Sequence, residues 1–412
     1  MALPLVNAVL LVMAQDTVVL TLEEATARAV ARSPAVAAAV GAVQAPRGLR
    51  AESRWPFPDN PTLEYGSVRR RTGATSGYDR QWSVTQEIEV AGQWALRAGA
   101  ASALVRSAEA RVDDARRLVA LEVRRAYASL AVAEGRAGLT DSAAAFAERL
   151  AAFARRQFET GESNRLEWNA AVLEAARARS AAERARAGAQ AAAANLARLI
   201  ALPPDTMPRA AGLARLPEVT WKSDSVLLES ARARRPDLRA ARASREGAGR
   251  TVTASKLGLV PNLTVSAVGG REAPTDQLLG LFVGLRIPLF RRQQAAIGAA
   301  RAEQAAAAAD EVAAVRAEVL AAGARFLRSR AAERRFATEV LRAATENVTL
   351  TERALAEGEA DLTQVLVLRG AAVAAQLEYL DVLQASAEAW FDLAAALAVE
   401  PDQLAALLMG GR

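Results

Sequence analysis

Few side chains in this sequence could carry out chemistry. Its 412 residues include no His and no Cys, which removes the commonest general base, the commonest metal ligands, every thiol nucleophile and every disulfide. Lys222 and Lys256 are the only lysines. Carboxylates are numerous, but they alternate with Arg at helical spacing, and this pattern indicates solvated helix faces. The composition therefore predicts no catalytic residue, no metal site and no cofactor.

Two further features could bind a ligand, and both are weak. The formal charge of +6 comes from arginines interleaved with Glu, so nucleic acid is not an expected partner. The glycines of Val268-Gly269-Gly270 lie at a predicted strand end, where a loop entry explains them better than a phosphate cradle does.

The N-terminal segment is apolar, and the body of the chain has no stretch of about 18 to 20 strongly apolar residues that would predict a transmembrane helix. Residues 1–14 end in Val12-Met13-Ala14, which resembles the end of a secretory signal, although no basic residue precedes the apolar run. We expect residues 1–15 to be a signal peptide. A chance apolar run in a cytosolic leader is the alternative.

The chain contains one unit twice. Four short motifs recur in the same order about 200 residues later. The pairs are Ser33-Pro34 with Arg235-Pro236, Pro61-Thr62-Leu63 with Pro261-Asn262-Leu263, Gly161-Glu162 with Gly358-Glu359, and Leu202-Pro203 with Glu400-Pro401. A whole series in constant order indicates an internal duplication.

Each unit has a long tract without proline, at 62–202 and at 289–400. Proline costs about 3 kcal/mol inside a helix. These tracts, rich in Ala, Arg and Glu, therefore predict long helices at about 94–159, 165–201, 295–357 and 362–399. Apolar residues such as Leu139, Ala143, Phe146 and Leu150 step by four and three, as coiled coils require. We predict that each unit ends in an antiparallel helical hairpin, with tips near 161 and 358.

A pair of segments with period-two alternation precedes each helical hairpin, at about 62–69 with 81–90 and at about 262–269 with 279–289. The apolar positions that share one predicted face are Trp82, Val84, Ile88, Leu281, Val283, Leu285 and Ile287. The charged positions on the other predicted face are Glu87, Glu89 and Arg286.

Strands of about ten residues with one apolar and one polar face are typical of a transmembrane β-barrel, whose outside contacts lipid and whose inside contacts water. On this interpretation the apolar set faces lipid and the charged set faces the barrel interior. An amphipathic sheet covered by helices in a soluble protein explains the alternation equally well. Four strands cannot close a barrel, and lipid does not tolerate an open sheet edge, so a barrel would need several copies. Three copies would supply twelve strands, an even number.

The predicted order of segments is a signal peptide at 1–15, a first repeat at 16–203, a linker at 204–222, a second repeat at 223–401 and a C-terminal tail at 402–412. Shorter helices are expected before each strand pair. Thr21 and Glu24 have the spacing of a capping box, and Pro34 and Pro236 suit the first turn of a helix.

This tandem order of short helices, strand pair and long helical hairpin resembles the TolC-like outer-membrane efflux family over nearly the whole chain. The matching motifs are LTLEEA at 20–25, RRPDL at 234–238, FETG at 158–161 and LTQVL at 362–366. The resemblance implies a mainly α fold with a β-barrel contribution. Each repeat would supply a transmembrane β-hairpin and a coiled-coil hairpin, and a homotrimer would form a twelve-stranded barrel and an α-helical tunnel.

The resemblance also implies a function. The family's trimers are passive ducts in the outer membrane of Gram-negative bacteria, and they dock through their hairpin tips with a periplasmic adaptor and an inner-membrane pump. Here the entrance and docking tips would include Gly161, Glu162, Asn164, Arg165, Glu167, Gly358, Glu359, Asp361 and Gln364. Glu167 and Asp361 are candidate entrance charges that would attract cations. Helix capping or simple solvation is the alternative for both.

The sequence departs from the family at the entrance. Some members close it with a Tyr and an Arg of the second tip bonded to an Asp of the first, but Leu355 and Ala360 occupy the first two positions. Gln364 and Val367 stand where other members carry a ring of Asp. The competing functions are a periplasmic adaptor, which has one hairpin, a cytosolic coiled-coil scaffold, which needs no period-two strands, and an enzyme.

Overall fold

The computed structural model describes residues 16–73, 75–213, 215–219, 221, 223–272, 276–285, 287, 294–309, 311–357 and 362–409. The elements of the first half are β1 (Asp16–Leu20), α1 (Leu22–Arg32), α2 (Pro34–Ala42), α3 (Gln44–Glu52), β2 (Thr62–Thr72), β3 (Thr75–Ile88), α4 (Gln93–Thr160), α5 (Arg165–Leu199) and β4 (Thr206–Ala210). In α4 the proline-free tract forms one helix of 68 residues.

The second half repeats this order with one interruption. Its elements are α6 (Asp224–Arg234), α7 (Pro236–Leu257), β5 (Leu263–Glu272), β6 (Asp276–Leu285), α8 (Gln294–Ala309), α9 (Glu311–Arg335), a π-helix (Phe336–Leu341), α10 (Arg342–Glu357), α11 (Leu362–Ala396) and α12 (Pro401–Met409). The prediction of a mainly helical fold built from two repeats, each with a strand pair and a helical hairpin, is confirmed.

The start signals of the short helices are also confirmed. The Thr21 side chain accepts a hydrogen bond from Glu24 N, and the Glu24 carboxylate accepts one from Thr21 N, so the capping box of α1 is complete. Pro34 and Pro236 are the first residues of α2 and α7, where proline costs no hydrogen bond.

Three elements differ from the sequence prediction. The segment predicted as a linker contains β4, which pairs in parallel with β1 from Asp16↔Thr206 to Leu20↔Ala210. Most of the predicted tail is α12. The single helix expected at 295–357 contains a π-helix, whose wider turn carries one extra residue. The ring of Phe336 in this π-helix stacks on Tyr379 of α11, with centroids 6.2 Å apart.

The described residues divide into two compact units. One is drawn from Met1–Ala37, Ala115–Arg234 and Arg316–Arg412, and the other from Ala38–Asp114 and Arg235–Val315. We call the first the helical unit and the second the sheet unit, because the second contains β2, β3, β5 and β6. Both repeats contribute to both units.

The core of the helical unit joins the chain start to the long hairpin. Its buried members are Leu20, Ala25, Ala29, Val123, Ala126, Tyr127, Leu130, Ala193, Leu196 and Ile200. The many alanines let α1, α4 and α5 approach closely, so the helices pack without large side chains between them. The Tyr127 hydroxyl lies 3.0 Å from Leu20 O and accepts a hydrogen bond from Ala211 N at 3.1 Å. Tyr127 thus ties α4 to the chain that leaves both β1 and β4.

Ion pairs join α4 of the first repeat to helices of the second within the helical unit. Arg125 Nε donates to Asp392 Oδ1 at 2.9 Å, and Arg325 approaches the other oxygen of Asp392 at 3.5 Å. Arg136 pairs with Asp381 of α11. Helices of the two repeats therefore pack together within the helical unit.

No single described helix is both long and apolar enough to cross a membrane, although α11 and α12 together pass that test with a bend of 82° between them.

Tyr127→Phe should lower the free energy of unfolding by about 1 kcal/mol, because the buried hydrogen bond from the Tyr127 hydroxyl to Leu20 O is lost. Thermal unfolding of the purified protein measures this loss. Tyr78→Phe is the control, since Tyr78 is exposed. Equal stability of the two variants would contradict the assignment.

Candidate functional site: the two-faced sheet and the Gly161 turn

The sheet unit contains one four-stranded antiparallel sheet in the order β2-β3-β5-β6. The hairpin of the first repeat pairs with that of the second through β3 and β5, from Ile88↔Leu263 to Arg80↔Arg271. Among the described residues, β2 and β6 each have a neighbouring strand on one side only. The sheet is therefore open at both edges.

The register places the predicted apolar positions together. Trp82 is opposite Gly269, Val84 opposite Ala267 and Ile88 opposite Leu263, and residues directly opposite each other share a face. The β6 partners of these β5 residues place Leu281, Val283 and Leu285 on the same side. We call it the apolar face; its further members include Leu63, Tyr65, Val265 and Leu279.

This apolar face is uncovered. Leu279, Leu281, Val283 and Leu285 are 84%, 70%, 64% and 62% exposed. A contiguous exposed apolar surface of this kind marks contact with lipid or with another chain. The sequence also allows an amphipathic sheet covered by helices, but among the described residues of this unit nothing covers the apolar face.

Trp82 lies flat over Gly269. A Cβ built on Gly269 would come within 2.5 Å of Cζ2 of the Trp82 ring, so no larger residue fits there without moving the indole. The sequence predicts Gly269 at a loop entry, but Gly269 lies within β5. Its role is to receive the aromatic ring of the neighbouring strand.

The opposite face, which we call the polar face, carries hydrogen bonds between strands. Thr85 and Ser266 join their hydroxyls at 2.8 Å. Glu87, predicted in a barrel interior, lies on this face and accepts a hydrogen bond from Asn262 Nδ2 at 2.8 Å. Arg70 Nε donates to Asp79 Oδ2 at 2.7 Å. Alternation along the strands thus separates the two sets of side chains.

The position of Glu89 differs from the prediction. It was predicted in the barrel interior with Glu87, but it lies beyond the end of β3 because its N–H donates to Pro56 O at 2.8 Å and draws the chain out of the sheet. Its carboxylate is 5% exposed and pairs with Arg97 near the start of α4. Glu89 is therefore a buried ion-pair residue at the junction of strand and helix.

Two predicted residues follow β6. Ile287 is 63% exposed and lies outside the strand, and Arg286 lies outside the described residues. Neither can be assigned to a face.

In the helical unit, α4 and α5 reverse direction at Gly161. Gly161 has φ +83°, the left-handed region that glycine adopts without strain. Glu162 N and Ser163 N both donate to Gln157 O, at 2.8 and 3.2 Å, and so close the end of α4. Phe158 before the turn stacks on Trp168 after it, with ring centroids 5.2 Å apart. The sequence analysis does not predict this aromatic clamp, whose rings belong to residues three positions before and seven positions after Gly161.

Glu167 takes part in the N-terminal cap of α5, in which Asn164 is the N-cap residue. The Asn164 side chain accepts a hydrogen bond from Glu167 N at 3.0 Å, as an N-cap does. Both oxygens of the Glu167 carboxylate are used locally, one by Ser163 Oγ and the other by Asn164 Nδ2, each at 2.7 Å. Of the two interpretations of Glu167, helix capping describes these contacts. Glu162 and Arg165 are exposed beside it.

The second predicted tip is described only in part. Gly358, Glu359 and Asp361 lie outside the described residues, and Gln364 is exposed in the first turn of α11. The neighbouring Val365 is fully buried against Leu150 and Ala171 of the first hairpin. The beginning of α11 therefore packs against α4 and α5 of the first hairpin, about ten residues from Gly161 along each helix.

Two exposed aliphatic side chains near the tips are not among the predicted site residues. Leu166 is 77% exposed in α5, and Val367 is 65% exposed in α11. Exposed apolar residues at a polar helix end are candidates for contact with a partner. Among the described residues, no group of three or more acidic side chains is arranged to hold a metal ion.

Gly269→Val should destabilise the sheet by about 1–3 kcal/mol, because the new side chain would displace the Trp82 ring. Gly66→Val is the matched control, since a Cβ at Gly66 meets no atom within 4 Å. Thermal unfolding and tryptophan fluorescence measure both variants. Adding Trp82→Ala should relieve the clash; if Gly269→Val is neutral, the packing of Trp82 on Gly269 is contradicted.

Asn164→Ala should open the first turn of α5 at a cost of about 1 kcal/mol, since the cap bond to Glu167 N is lost. Hydrogen exchange of the amides at 158–170 should become faster by a corresponding factor. Glu162→Ala, which removes an exposed side chain from the same turn, is the control. Unchanged exchange in Asn164→Ala would exclude the capping role.

Comparison with known proteins identifies relatives of this fold. Residues 26–202 and 227–399 match the outer membrane efflux protein family, so each repeat accounts for one matched segment. A membrane protein from Pseudomonas aeruginosa is similar in structure, with a TM-score of 0.74 and 19% identity over 91% of this chain and 90% of that one. No curated protein sequence matches the chain.

Two other solved structures are similar to it. The outer membrane protein VceC from Vibrio cholerae aligns with a TM-score of 0.73 and 18% identity, covering 92% of this chain and 96% of that one. The MtrE outer membrane channel of Neisseria gonorrhoeae, in its open state, aligns with a TM-score of 0.73 and 18% identity over 92% and 89%. With the family matched over both repeats, the chain belongs to the outer membrane efflux protein family.

Proposed function

We propose that three copies of this chain form a passive duct through the outer membrane. Each copy would contribute its four-stranded sheet to a shared barrel and its helical hairpins to a tunnel on the periplasmic side. A periplasmic adaptor and an inner-membrane pump would dock at the tunnel end, and the pump would supply the energy. Membership of the outer membrane efflux protein family supports this proposal.

The observation that carries the proposal is an open sheet with two unlike faces. Its apolar face is exposed, and its polar face is joined by hydrogen bonds. In lipid, every N–H and C=O of an edge strand needs a partner within protein, so this sheet can enter a membrane only if its edges are paired. The partners must come from other copies, because the described chain offers no further strand at either edge.

The direction of the strands permits such pairing. Three successive antiparallel pairs make β6 run opposite to β2. The β2 strand of the next copy can therefore lie antiparallel beside β6, and the same pattern continues around a ring. Every copy adds four strands, so the closed barrel is antiparallel and even-numbered, as membrane barrels of one chain type are.

The need for an open pore sets a lower limit on the number of copies in the ring. Two copies would give eight strands, and a barrel of about eight strands is filled by its own side chains. Three copies give twelve strands, which leaves a lumen wide enough for solutes. A homotrimer is the smallest ring of this sheet that can conduct.

The tips of the two helical hairpins would form the periplasmic entrance. Leu166 and Val367 are exposed there beside the polar residues Glu162, Arg165 and Gln364. Such a mixture of apolar and polar side chains suits docking of an adaptor. The alternative functions fit less well: a soluble scaffold would leave the apolar face of the sheet in water, and adaptors carry one hairpin where this chain carries two.

Conductance in planar lipid bilayers tests the duct. Purified protein should produce stable single-channel steps. Two neighbouring residues of β5 provide a matched pair of variants, because Ser266 is on the polar face and Ala267 on the apolar face. Ser266→Arg should still insert and should change the conductance. Ala267→Arg should prevent insertion, since Arg on a lipid face costs about 2–4 kcal/mol near the bilayer centre.

Absence of channel steps from the unaltered protein would contradict the duct. Equal insertion of Ser266→Arg and Ala267→Arg would contradict the assignment of the two faces. The second result can occur without the first, so the two parts of the proposal are tested separately.

A further inference from the structure

The charged residues of the sheet are sorted by face. All five acidic residues of β2, β3, β5 and β6, namely Glu64, Asp79, Glu87, Glu272 and Asp276, lie on the polar face by register. Of the five arginines, only Arg70 shares that face, where it pairs with Asp79 at 2.7 Å and approaches Glu272 at 3.8 Å. Arg69, Arg71, Arg80 and Arg271 lie on the apolar face.

These four arginines lie at the turn end of the apolar face, on three successive cross-strand rows: Arg80 with Arg271, then Arg69 opposite Tyr78, then Arg71 opposite Ser76. On β3 the order from the helix end is Val84, Trp82, Arg80, so Arg80 lies about 7 Å beyond the aromatic ring at 3.3–3.4 Å per residue. Arg69 and Arg71 of β2 and Arg271 of β5 lie in the same part of the sheet, next to the hairpin turns. The face thus changes from aliphatic to aromatic to basic along its strands.

The arginine group has no internal counter-charge. All four side chains are exposed, and no described carboxylate pairs with them or lies on their face of the sheet. Arg80 and Arg271 are directly opposite each other across β3 and β5. Like charges in directly opposite positions destabilise a sheet, so an anion from outside the chain would stabilise this arrangement.

We infer that Arg69, Arg71, Arg80 and Arg271 bind the phosphate groups of a phosphorylated glycolipid of the outer leaflet, whose acyl chains lie on the adjoining apolar face. Guanidinium groups bind phosphate oxygens through two parallel hydrogen bonds. The aromatic level between the basic and aliphatic levels matches the headgroup boundary of a bilayer. The inference rests on the proposed barrel, because that barrel places the hairpin turns at the outer surface.

The occupant must be an amphiphile with phosphate on its headgroup. A soluble anion would use the arginines but would leave the apolar levels exposed. A zwitterionic phospholipid would cover the apolar levels but would bring a cationic group to the arginines. A glycolipid with phosphate groups and several acyl chains satisfies both levels of the same face.

Lipid binding by native mass spectrometry tests the inference. The full-length protein is titrated with lipid A, a phosphorylated glycolipid, and separately with phosphatidylcholine and with inorganic phosphate. Arg80→Gln combined with Arg271→Gln should weaken lipid A binding about thirtyfold, at about 1 kcal/mol for each of the two arginines lost near an anionic surface. Arg70→Gln, which removes one positive charge from the polar face of β2, should bind lipid A like the unaltered protein.

The melting temperature is a second measurement, and it distinguishes lipid binding by the arginines from a purely structural role. Without anionic lipid, the double variant should melt at a higher temperature than the unaltered protein, because the repulsion between Arg80 and Arg271 is gone. With lipid A, the unaltered protein should gain more stability than the double variant. We therefore expect the double variant to be the more stable protein without lipid A and the less stable one with lipid A.

Three results would overturn the inference: equal lipid A binding by the double variant and the unaltered protein, equal loss in Arg70→Gln, or full displacement of lipid A by inorganic phosphate. Channel conductance of the unaltered protein is recorded from the same preparation. Conductance without selective lipid A binding would reject the lipid site and leave the duct intact, whereas selective binding without conductance would reject the duct.

Discussion

Hydrogen bonding of the sheet edges is the constraint on which the whole structure depends. Four strands with an exposed apolar face suit lipid, yet β2 and β6 leave a row of N–H and C=O groups without a strand partner in the described chain. Lipid cannot satisfy those groups. In the proposed duct the sheet can therefore enter a membrane only as part of a ring of copies, and the antiparallel order β2-β3-β5-β6 allows such a ring to close. On this proposal, oligomerisation is a requirement of the sheet.

Duplication explains how one chain supplies both the sheet and the helical hairpins. Each repeat gives one β-hairpin, and the two join through β3 and β5. Each also gives one long helical hairpin, and Val365 of the second is buried against Leu150 and Ala171 of the first. Alanine-rich packing keeps these helices close, and ion pairs such as Arg125 with Asp392 join the repeats. Neither repeat alone could form these contacts, so both repeats are needed to build the sheet and the helix packing.

Much of this architecture could be predicted from the sequence, because long-range order follows from simple periodicity. The alternation around Trp82 and the proline-free tracts each repeat one rule over many residues, so a local error does not change the result. What failed depends on single contacts: β4 is short, contains Pro208 and exists because it pairs with β1. Glu89 leaves the sheet through one bond to Pro56 O, a partner that no sequence pattern indicates. The bonds of Glu167 to Ser163 and Asn164 are a different case, because the spacing of Asn164 and Glu167 is that of a capping box.

Disulfide cross-linking between β2 and β6 tests the ring most directly, because the chain has no Cys of its own. Within one copy these strands are separated by two others, about 14 Å at 4.7–4.9 Å per strand, too far for a disulfide. Leu63→Cys is combined in turn with Leu281→Cys, Val283→Cys and Leu285→Cys, and each membrane-assembled protein is oxidised and separated in denaturing detergent. Our account predicts that at least one pair gives a covalent ladder ending at three copies, while Leu63→Cys alone gives none. No cross-link from any pair, or a ladder that ends at two or continues past three, would contradict it.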